Sequence, residues 1–318
     1  MDLSIIIVSW NTRELLRNCL RSIELCSSSL QVQTIVVDNN SADGTREMVS
    51  RLFPWVFLLN SGGNLGFARA NNLGLPHACA PLVLYLNPDT EVRGESLLQM
   101  VEYMRRESSI GALGCKIRNL DGSVQPLGLQ WFPSPITEFL KLLVVSDHTV
   151  RRLAGVFPWH DPAASGEVKK LYGACLMVRR SVLDQVGTFD ERFFMYCEDV
   201  DFCHRISRAG WRIYYLASAE IMHLGGASSA SAPGSFPVLM MCESFSKLMS
   251  KYYGWLGAVG YRFAALLGSQ VRLVLLCCIR LLQVLGWHAF ASDITGPTRK
   301  YWAVTRWSLG LDKPVARN

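Results

Sequence analysis

Short apolar runs alternate with amphipathic stretches along the first third of the chain, and this alternation predicts strands followed by helices. Continuous apolar runs, typical of strands buried on both faces, occur at residues 3–9, 33–37, 56–60 and 82–86. Apolar residues at helical spacing follow at 12–26, 43–52, 67–76 and 94–106. We expect Asn11 and Glu14 to form a capping box at the first helix. The pattern predicts an α/β fold with a doubly wound, mostly parallel sheet and flanking helices.

The pattern is less regular beyond residue 125. Residues 125–170 carry many prolines and weak periodicity, which predicts a long connection over the site. Residues 171–179 and 211–217 are typical of strands, and 198–209 is typical of a helix. Residues 225–237 are rich in Gly, Ser and Ala, which predicts a mobile loop.

Polar clusters stand where three of the predicted strands end, at Ser9–Asn11, Asp38–Asp43 and Asn87–Asp89. In open α/β sheets, ligands bind beyond the carboxyl ends of the strands. Asp38 could accept hydrogen bonds from a base or a ribose, or it could cap its own loop. Trp10 could stack on a base or belong to the core.

A glycine-bearing segment, Asn60–Phe67, leads into the third predicted helix. Backbone N–H groups and the helix dipole at such an entrance suit a phosphate. The first strand–helix turn, SWNTRE, has no glycine, so the dinucleotide-binding fingerprint is absent. This argues against a nicotinamide or flavin oxidoreductase.

Two groups of ionisable residues suggest chemistry. Asp89 could hold Mg²⁺ or Mn²⁺, and His223 could complete the metal shell or be a structural histidine. Glu198, Asp199 and Asp201 open a predicted helix, where acids favour the dipole. Three acids exceed what capping requires, so one of them could be a general base.

Composition narrows the partners. The formal net charge of +6 fits an anionic small molecule or an acidic lipid surface, and it is too diffuse to indicate nucleic acid. The ten cysteines form no CxxC pair and stand among apolar neighbours, which predicts reduced core thiols in a cytosolic protein. The first residues lack the positive charge and long apolar run of a signal peptide.

The composition changes from residue 236 onward. Three arginines, at 262, 272 and 280, are the only charges over 258–287, and they fall within an arc of roughly 80° at about 100° per residue. This pattern predicts an amphipathic helix lying in a membrane interface; a helix packed on the core or on a second copy of the chain is the alternative. Gly254, Gly257 and Gly260 predict a break before it. We expect a catalytic domain over 1–235 and a helical, membrane-associating region over 236–318.

Seven motifs in order resemble the family 2 glycosyltransferases of GT-A fold, in the rhamnosyltransferase-like branch. They are IIIVSWN, VVDNNSADGT, NSGGNLGFARANNLG, LYLNPDTEV, the DGS of Asp121–Ser123, YGACLMVRRSVLDQVGTFDERFFMYCEDVDFCHR and IMHLGGAS. They span residues 3–229.

The resemblance implies roles by position. Asp199 would be the catalytic base, and Asp89 and His223 would hold Mg²⁺ or Mn²⁺, with Asn87 in place of the first acid of the family's DxD motif. Residues implied for donor binding are Ser9, Trp10, Asp38, Asn64, Gly66, Asn71, Asn87 and Asp89. Glu198, Asp201 and Gly173 would support the acceptor side of the site.

The resemblance implies an inverting sugar transfer from a nucleotide donor to a saccharide or lipid-linked acceptor in cell-surface polysaccharide synthesis. dTDP-rhamnose is the first expected donor and UDP-sugars come next. The expected location is the cytoplasmic face of the membrane, with a homodimer possible. The alternatives are a catalytically inactive nucleotide-sugar-binding module and a nucleotidyltransferase on a related sheet. SWNTRE argues against the latter because it lacks the Gly-rich basic loop.

Overall fold

A computed structural model describes residues 1–127, 130–140, 160–225, 235–285 and 293–314. These residues divide into two compact units. One unit holds the described residues of 1–132 and 160–225, and the other holds those of 133–140, 235–285 and 293–314. Most of the predicted loop at 225–237 lies outside the described residues.

The elements alternate in the first unit and are helical in the second. The strands are β1 Leu3–Ser9, β2 Val32–Asp38, β3 Phe57–Asn60, β4 Leu82–Leu86, β5 Thr90–Val92, β6 Ile110–Arg118, β7 Gly166–Glu167, β8 Cys175–Arg179 and β9 Arg212–His223. The helices are α1 Arg13–Cys26, α2 Thr45–Leu52, α3 Gly66–Gly74, α4 Ser96–Arg106, α5 Pro135–Leu140, α6 Arg180–Val186, α7 Glu198–Arg208, α8 Phe236–Val284 and α9 Thr295–Ser308.

The strands form one sheet in the order β3-β2-β1-β4-β8-β6-β9-β5, with β7 paired to β9. The pairs β3–β2, β2–β1, β1–β4 and β6–β9 are parallel. The pairs of β8 with β4 and β6, and of β9 with β5 and β7, are antiparallel. The α/β class is confirmed, and the sheet is mixed rather than mostly parallel because β8 runs against its neighbours.

The apolar core lies on both faces of this sheet, as the continuous apolar runs predicted. Along β1, Leu3, Ile5 and Ile7 pack in one cluster with side chains of α1, α2 and α4. The alternate residues, Ile6 and Val8, pack in a second cluster with side chains of α3, α6 and α7. Successive side chains of a strand point to opposite faces, so a strand covered by helices on both faces must be apolar at every position.

The eight elements predicted within residues 3–106 are present, and their bounds lie within two residues of the expected positions.

Several local predictions differ from the structure. The capping box is wrong, because Asn11 has a φ of 53° and its Oδ1 accepts a hydrogen bond from the Ala42 amide instead. Thr12 precedes α1 without a side-chain cap. All ten cysteines are free, but Cys79, Cys277 and Cys278 are exposed and Cys26 is half-buried rather than in the core.

The second unit consists of α5, α8 and α9. The predicted break is confirmed at Gly254, where α8 has a φ of 67° and a ψ of −165°. By length and composition alone, α8 is the one helix of the described chain that is long and apolar enough to cross a membrane. The sequence analysis predicted a helix lying on the membrane surface, and that stays a prediction.

Two of the three arginines in the predicted polar stripe on α8 face a neighbouring helix. The Arg262 guanidinium lies 4.6 Å from the ring centre of Trp307, and that of Arg272 lies 5.6 Å from the ring centre of Tyr301, both on α9. Most of the exposed side chains of α8 are apolar, and Trp255 and Phe263 are 71% and 59% exposed. Arg262 and Arg272 therefore contact α9, whereas Arg280 is exposed and donates to Gln283 Oε1 of α8 itself at 3.4 Å.

Candidate active site

The polar clusters predicted at the strand ends lie along one edge of the sheet. β1, β2 and β4 are parallel, and Ser9 pairs in register with Asp38. Because β8 is antiparallel to β4, its first residue, Cys175, pairs with Leu86, the last residue of β4. β9 runs in the same direction as β4 and ends at His223. The edge therefore collects residues from the C-terminal ends of four strands and from the segment before β8.

Asp38 is fully buried at the end of β2. Its carboxylate lies 3.3 and 3.4 Å from the Ser41 amide and 3.5 Å from Nε of Arg46. Burial raises the pKa of Asp38, and the Ser41 contacts oppose that shift. The contacts with Ser41 match the loop-capping alternative, and recognition of a base or ribose by Asp38 stays a prediction.

Ser9 holds the turn that follows β1. Its Oγ is buried 2.9 Å from the Thr12 hydroxyl, and its carbonyl accepts a hydrogen bond from the Asn39 amide. Trp10 follows as a half-buried residue. The turn places Trp10 at the sheet edge, and its stacking on a base stays a prediction.

The backbone amides that were expected to bind a phosphate at the start of α3 already have protein partners. The Leu65 amide donates to Asn39 Oδ1, and the Gly66 amide donates to Asn64 Oδ1. The Phe67 amide donates to the Phe194 carbonyl at 2.7 Å. The contacts of these three amides do not favour phosphate binding by them, because the segment before α7 and two asparagines occupy the helix entrance, and phosphate binding there stays a prediction.

Gly66 is required by this close approach. Its φ is +77°, and a methyl group at its Cα would overlap the Phe194 carbonyl and lie 2.7 Å from the Phe194 ring. Asn39, which the sequence prediction did not single out, ties the entrance together because its amide also donates to Asn64 Oδ1 at 3.0 Å. The repeated asparagine in VVDNN was the available signal for this role.

The side chains of Asn71 and Asn72 form hydrogen bonds with different parts of the protein. Asn71 is buried and donates to the Phe67 carbonyl of its own helix. Asn72 exchanges two hydrogen bonds with the backbone of Phe189, at 2.8 and 3.1 Å. Both side chains therefore support α3 and its packing, and donor binding by Asn71 stays a prediction that its contacts do not favour.

Asp89, His223 and Asn87 converge at the end of β4. Asp89 is 4% exposed, and its Oδ1 lies 3.2 Å from Nε2 of His223. The Asn87 amide nitrogen lies 3.5 Å from the same Nε2. The sequence prediction brought these three residues together correctly, because β5 and β9 pair in the register Thr90 to His223.

Asp199 lies in the first turn of α7, with its carboxylate held by two backbone amides. Oδ2 accepts the Gly173 amide at 3.0 Å, and Oδ1 accepts the Val200 amide at 2.8 Å. The neighbouring Ala174 carbonyl accepts the Asn87 amide at 3.0 Å. Gly173 and Ala174 therefore link the carboxylate of Asp199 to the loop that carries Asp89.

The pKa of Asp199 is shifted by opposing effects. Burial raises its pKa, while the amides of Gly173 and Val200 and the positive charge of Lys170 lower it. The net direction is upward. A carboxylate oriented by two amides, with a raised pKa, suits proton acceptance from a hydroxyl group.

Glu198 and Asp201 have different hydrogen-bond partners from Asp199. Glu198 is 5% exposed, and its Oε2 has no hydrogen-bond partner among the described residues. Burial, followed by the nearby charge of Asp199, raises the pKa of Glu198 well above its ordinary value. Asp201 is fully buried, and its Oδ2 accepts Nε of Arg205 at 2.8 Å. The ion pair with Arg205 makes Asp201 a structural residue of α7 rather than a base.

The donor set at Asp89 and His223 is compatible with a divalent cation. Adjacent ligands of an octahedral Mg²⁺ with bonds of 2.0–2.1 Å stand about 3 Å apart, and Asp89 Oδ1 and His223 Nε2 are separated by 3.2 Å. An oxygen and an imidazole nitrogen together suit Mn²⁺ as well. Among the described residues, no group of three or more His, Cys, Asp or Glu side chains has metal-binding geometry. Two protein ligands would leave the remaining positions to a bound diphosphate and water.

Comparison with known proteins was made for sequence and for structure. The model of the family described as glycosyl transferase family 2 matches residues 4–187. The N-acetylglucosaminyl-diphospho-decaprenol L-rhamnosyltransferase of Mycobacterium tuberculosis is 33% identical over 270 residues, covering 80% of this chain and 86% of that protein. Rhamnosyltransferase WbbL of Escherichia coli is 26% identical over 230 residues, covering 69% and 82%.

Solved structures share the fold at low sequence identity. The mannosyltransferase PcManGT from Pyrobaculum calidifontis, in complex with GDP-Man and Mn²⁺, matches with a TM-score of 0.58 and 17% identity, over 96% of this chain and 86% of that one. TarS of S. aureus in complex with UDP-GlcNAc matches with a TM-score of 0.55 and 15% identity, over 98% and 92%. These likenesses show the fold of the chain.

Proposed function

Because the chain belongs to glycosyl transferase family 2, we propose that it transfers a sugar from a nucleoside diphosphate donor to a saccharide hydroxyl, with inversion at the anomeric carbon. The observation that carries the mechanism is the Asp199 carboxylate, which two backbone amides hold next to the Asp89 loop. Its raised pKa and fixed orientation are the properties of a general base.

The reaction is a single displacement. Asp199 removes the proton of the acceptor hydroxyl, and the oxygen forms a bond to the anomeric carbon. The bond from that carbon to the diphosphate oxygen breaks, and the diphosphate leaves with the electron pair. Attack opposite the leaving group inverts the configuration, and one carboxylate suffices because a diphosphate needs charge neutralisation rather than protonation by a second acid.

Asp89 and His223 are the residues that we propose for a divalent metal ion, with Mg²⁺ and Mn²⁺ as candidates. A bound ion would neutralise the negative charge that develops on the departing diphosphate. Asn87 contributes no charge to this site, so Asp89 is the only carboxylate of the proposed set. Removal of divalent ions with a chelator should abolish transfer, and full activity in chelator would contradict this part of the proposal.

The names of the relatives support a proposal for the sugar donor and for the acceptor. Two of them are described as rhamnosyltransferases, and one name specifies N-acetylglucosaminyl-diphospho-decaprenol. We propose a dTDP-linked 6-deoxyhexose, rhamnose first, as donor and a polyprenyl-diphosphate-linked saccharide as acceptor, in the synthesis of a cell-envelope polysaccharide. UDP-sugars form the second donor class. Asp38, Trp10 and Asn64 are the proposed contacts to the nucleotide.

The second unit supports a peripheral attachment to the cytoplasmic face of the membrane. The exposed apolar side chains of α8 include Trp255, Leu256, Val259, Phe263, Val274 and Leu281. At 1.5 Å per residue, residues 255–284 span about 45 Å, long enough to lie along a bilayer surface. The net charge of +6 favours anionic lipids. The division into a catalytic region at 1–235 and a membrane-associating region at 236–318 is part of this proposal.

Vesicle flotation tests the attachment. Replacement of Trp255 and Phe263 by serine should reduce recovery with vesicles containing phosphatidylglycerol. Replacement of Leu25, which is 79% exposed on α1, by serine is the matched control and should not. Equal recovery of the two variants would contradict the role of the apolar face.

Product analysis tests the reaction itself. The protein is incubated with a panel of nucleotide sugars and a short polyprenyl-diphosphate-linked N-acetylglucosamine, and the released nucleoside diphosphate is measured. The anomeric configuration of the product is determined by NMR. Inversion relative to the donor is expected. Retention would contradict the single displacement, and donor binding with no release from any donor would favour an inactive binding module.

A further inference from the structure

The turn at Asp121–Ser123 has no part in the reaction described so far, although it is one of the motifs along the chain. Within the turn, the Asn119 amide donates to the Ser123 carbonyl at 2.8 Å, and the Gly122 amide donates to the Asn119 carbonyl at 3.0 Å. Arg118 fixes the turn to β9 through Glu220, with Nε to Oε2 at 2.8 Å. The turn is therefore a rigid unit beside the strand that ends at His223.

A chain of side-chain hydrogen bonds runs from this turn to His223. The Ser123 hydroxyl donates to Asp121 Oδ1 at 2.6 Å, and Asn119 Nδ2 donates to Ser123 Oγ at 2.8 Å. Gln125 Nε2 donates to Asn119 Oδ1 at 2.6 Å, and Gln125 Oε1 lies 3.3 Å from Nδ1 of His223. Four bonds therefore connect an exposed carboxylate to the imidazole.

The direction of each bond follows from the chemistry of the first one. An ionised carboxylate only accepts hydrogen bonds, and the Ser123 hydroxyl and amide lower the pKa of Asp121. The single hydroxyl proton of Ser123 is then committed to Asp121, so its oxygen must accept from the Asn119 amide group.

The orientation of Asn119 in turn fixes that of Gln125. Asn119 Oδ1 faces the Gln125 amide nitrogen, which also donates to the backbone carbonyl of His223 at 3.3 Å. Gln125 Oε1 is then left as an acceptor toward the ring, and Nδ1 of His223 must carry a proton. The other ring nitrogen, Nε2, lies 3.2 Å from Asp89 Oδ1.

We propose that Asp121, Ser123, Asn119 and Gln125 form a positioning relay that keeps Nδ1 of His223 protonated and so leaves Nε2, which faces Asp89, as the ring nitrogen that can bind a cation. The inference rests on the proposed metal role of Asp89 and His223. A metal-ligating histidine usually donates its second N–H to a protein acceptor, and loss of that acceptor typically costs 10–100-fold in metal affinity. Gln125 is that acceptor here.

The tautomer is measured without metal or substrate. Long-range ¹H–¹⁵N NMR spectra of histidine-labelled protein are recorded at pH 8 in chelator, and the His223 signals are assigned by their loss in His223→Gln. We expect a protonated nitrogen at Nδ1 in the wild-type protein, because Gln125 Oε1 faces it as an acceptor. An unprotonated Nδ1 would overturn the relay.

Variants of Gln125 separate positioning from packing. Gln125→Leu removes the acceptor and should allow the Nε2-protonated tautomer. Gln125→Glu loses the donor to Asn119 but keeps an oxygen that can only accept from Nδ1, so Nδ1 should stay protonated although the link to Asp121 is cut. Gln185→Leu is the control, because Gln185 is exposed and bonded only to Trp211 Nε1. An unchanged His223 pattern in Gln125→Leu would overturn the proposal.

A second position keeps the test informative if Gln125→Leu does not fold. Asn119→Leu removes the oxygen that accepts from Gln125 Nε2, so the Gln125 side chain is no longer held in one orientation and the tautomers should also mix. An unmixed wild-type pattern in Asn119→Leu would likewise count against the relay.

Mn²⁺ binding, followed by electron paramagnetic resonance with Mn²⁺ alone, provides the second readout. Gln125→Leu should weaken binding by about 10–100-fold relative to the wild-type protein, while Gln125→Glu and Gln185→Leu should not. If the wild-type protein binds no Mn²⁺, the proposed metal role fails, and the NMR pattern still decides the relay. Equal Mn²⁺ affinity of the wild-type protein and Gln125→Leu would overturn the positioning role.

Discussion

Glu198→Gln should change how the stability of the protein depends on pH. Glu198 is buried beside Asp199, and its Oε2 has no hydrogen-bond partner among the described residues. Burial first, and the charge of Asp199 second, raise the pKa of Glu198 well above its ordinary value of 4.5. In the unfolded chain the carboxyl group is solvated and loses its proton near that ordinary value.

The sign of the effect follows from proton binding. Above the unfolded pKa, the unfolded chain has released the proton that folded Glu198 still holds, so the free energy of unfolding falls as pH rises. One proton corresponds to a slope of about 1.4 kcal/mol per pH unit until the folded pKa is passed. Glutamine does not titrate, so the variant should lack this slope. Any cost of an unpaired amide, about 1–3 kcal/mol, is the same at every pH.

Urea unfolding followed by tryptophan fluorescence at pH 5, 6, 7 and 8 measures this difference. The variant should gain stability relative to the wild-type protein as pH rises. Glu24→Gln, at an exposed position of α1, is the control and should run parallel to the wild-type curve. A Glu198→Gln curve that is also parallel would refute the raised pKa.

Three further predictions follow from the same region. Gly66→Ala should lower the free energy of unfolding by about 2 kcal/mol or more in urea, because a left-handed φ costs about 1–2 kcal/mol and the methyl group overlaps Phe194; a loss below 1 kcal/mol would show that the helix entrance adapts. Asp201→Asn should cost about 3–5 kcal/mol by the same measurement, because it breaks a buried pair with Arg205, and a small loss would refute the structural role. The transfer rate should fall as pH drops through the raised pKa of Asp199, so the midpoint of this fall in the pH–rate profile should lie above the ordinary pKa of 3.8. A midpoint at or below 3.8 would contradict the assignment.

The strands of the first half of the chain were predictable because burial on both faces requires apolar side chains at every position. β6 was missed for a physical reason. A methyl group at Gly111 would lie 2.7 Å from Cβ of Trp211, and one at Gly114 would lie 2.6 Å from a methyl carbon of Leu171. Close packing therefore demands glycine there, and glycine weakens the pattern of a strand.

The site was predictable in part. Asp38, Asp89 and His223 stand at or just after strand ends and meet at one edge of the sheet, because parallel strands end at the same edge. The alternation of strands and helices along the sequence was enough to predict this. The partners of the Leu65 and Phe67 amides could not be predicted, because Asn39 and Phe194 approach them from distant segments of the chain. The contacts of Arg262 and Arg272 with α9 could not be predicted either, because periodicity shows that residues share a face but not what covers that face.

The assignment of Asp199 as the base is tested most directly by the rate of transfer in Asp199→Asn. Asparagine keeps the shape of the side chain but cannot accept the proton. Its NH₂ group must also face the backbone N–H of either Gly173 or Val200. Transfer should fall by about 10²–10⁴-fold, while calorimetry should show donor binding unchanged. Asp184→Asn, at an exposed position of α6, is the control. Transfer by Asp199→Asn at the rate of the control would contradict the account.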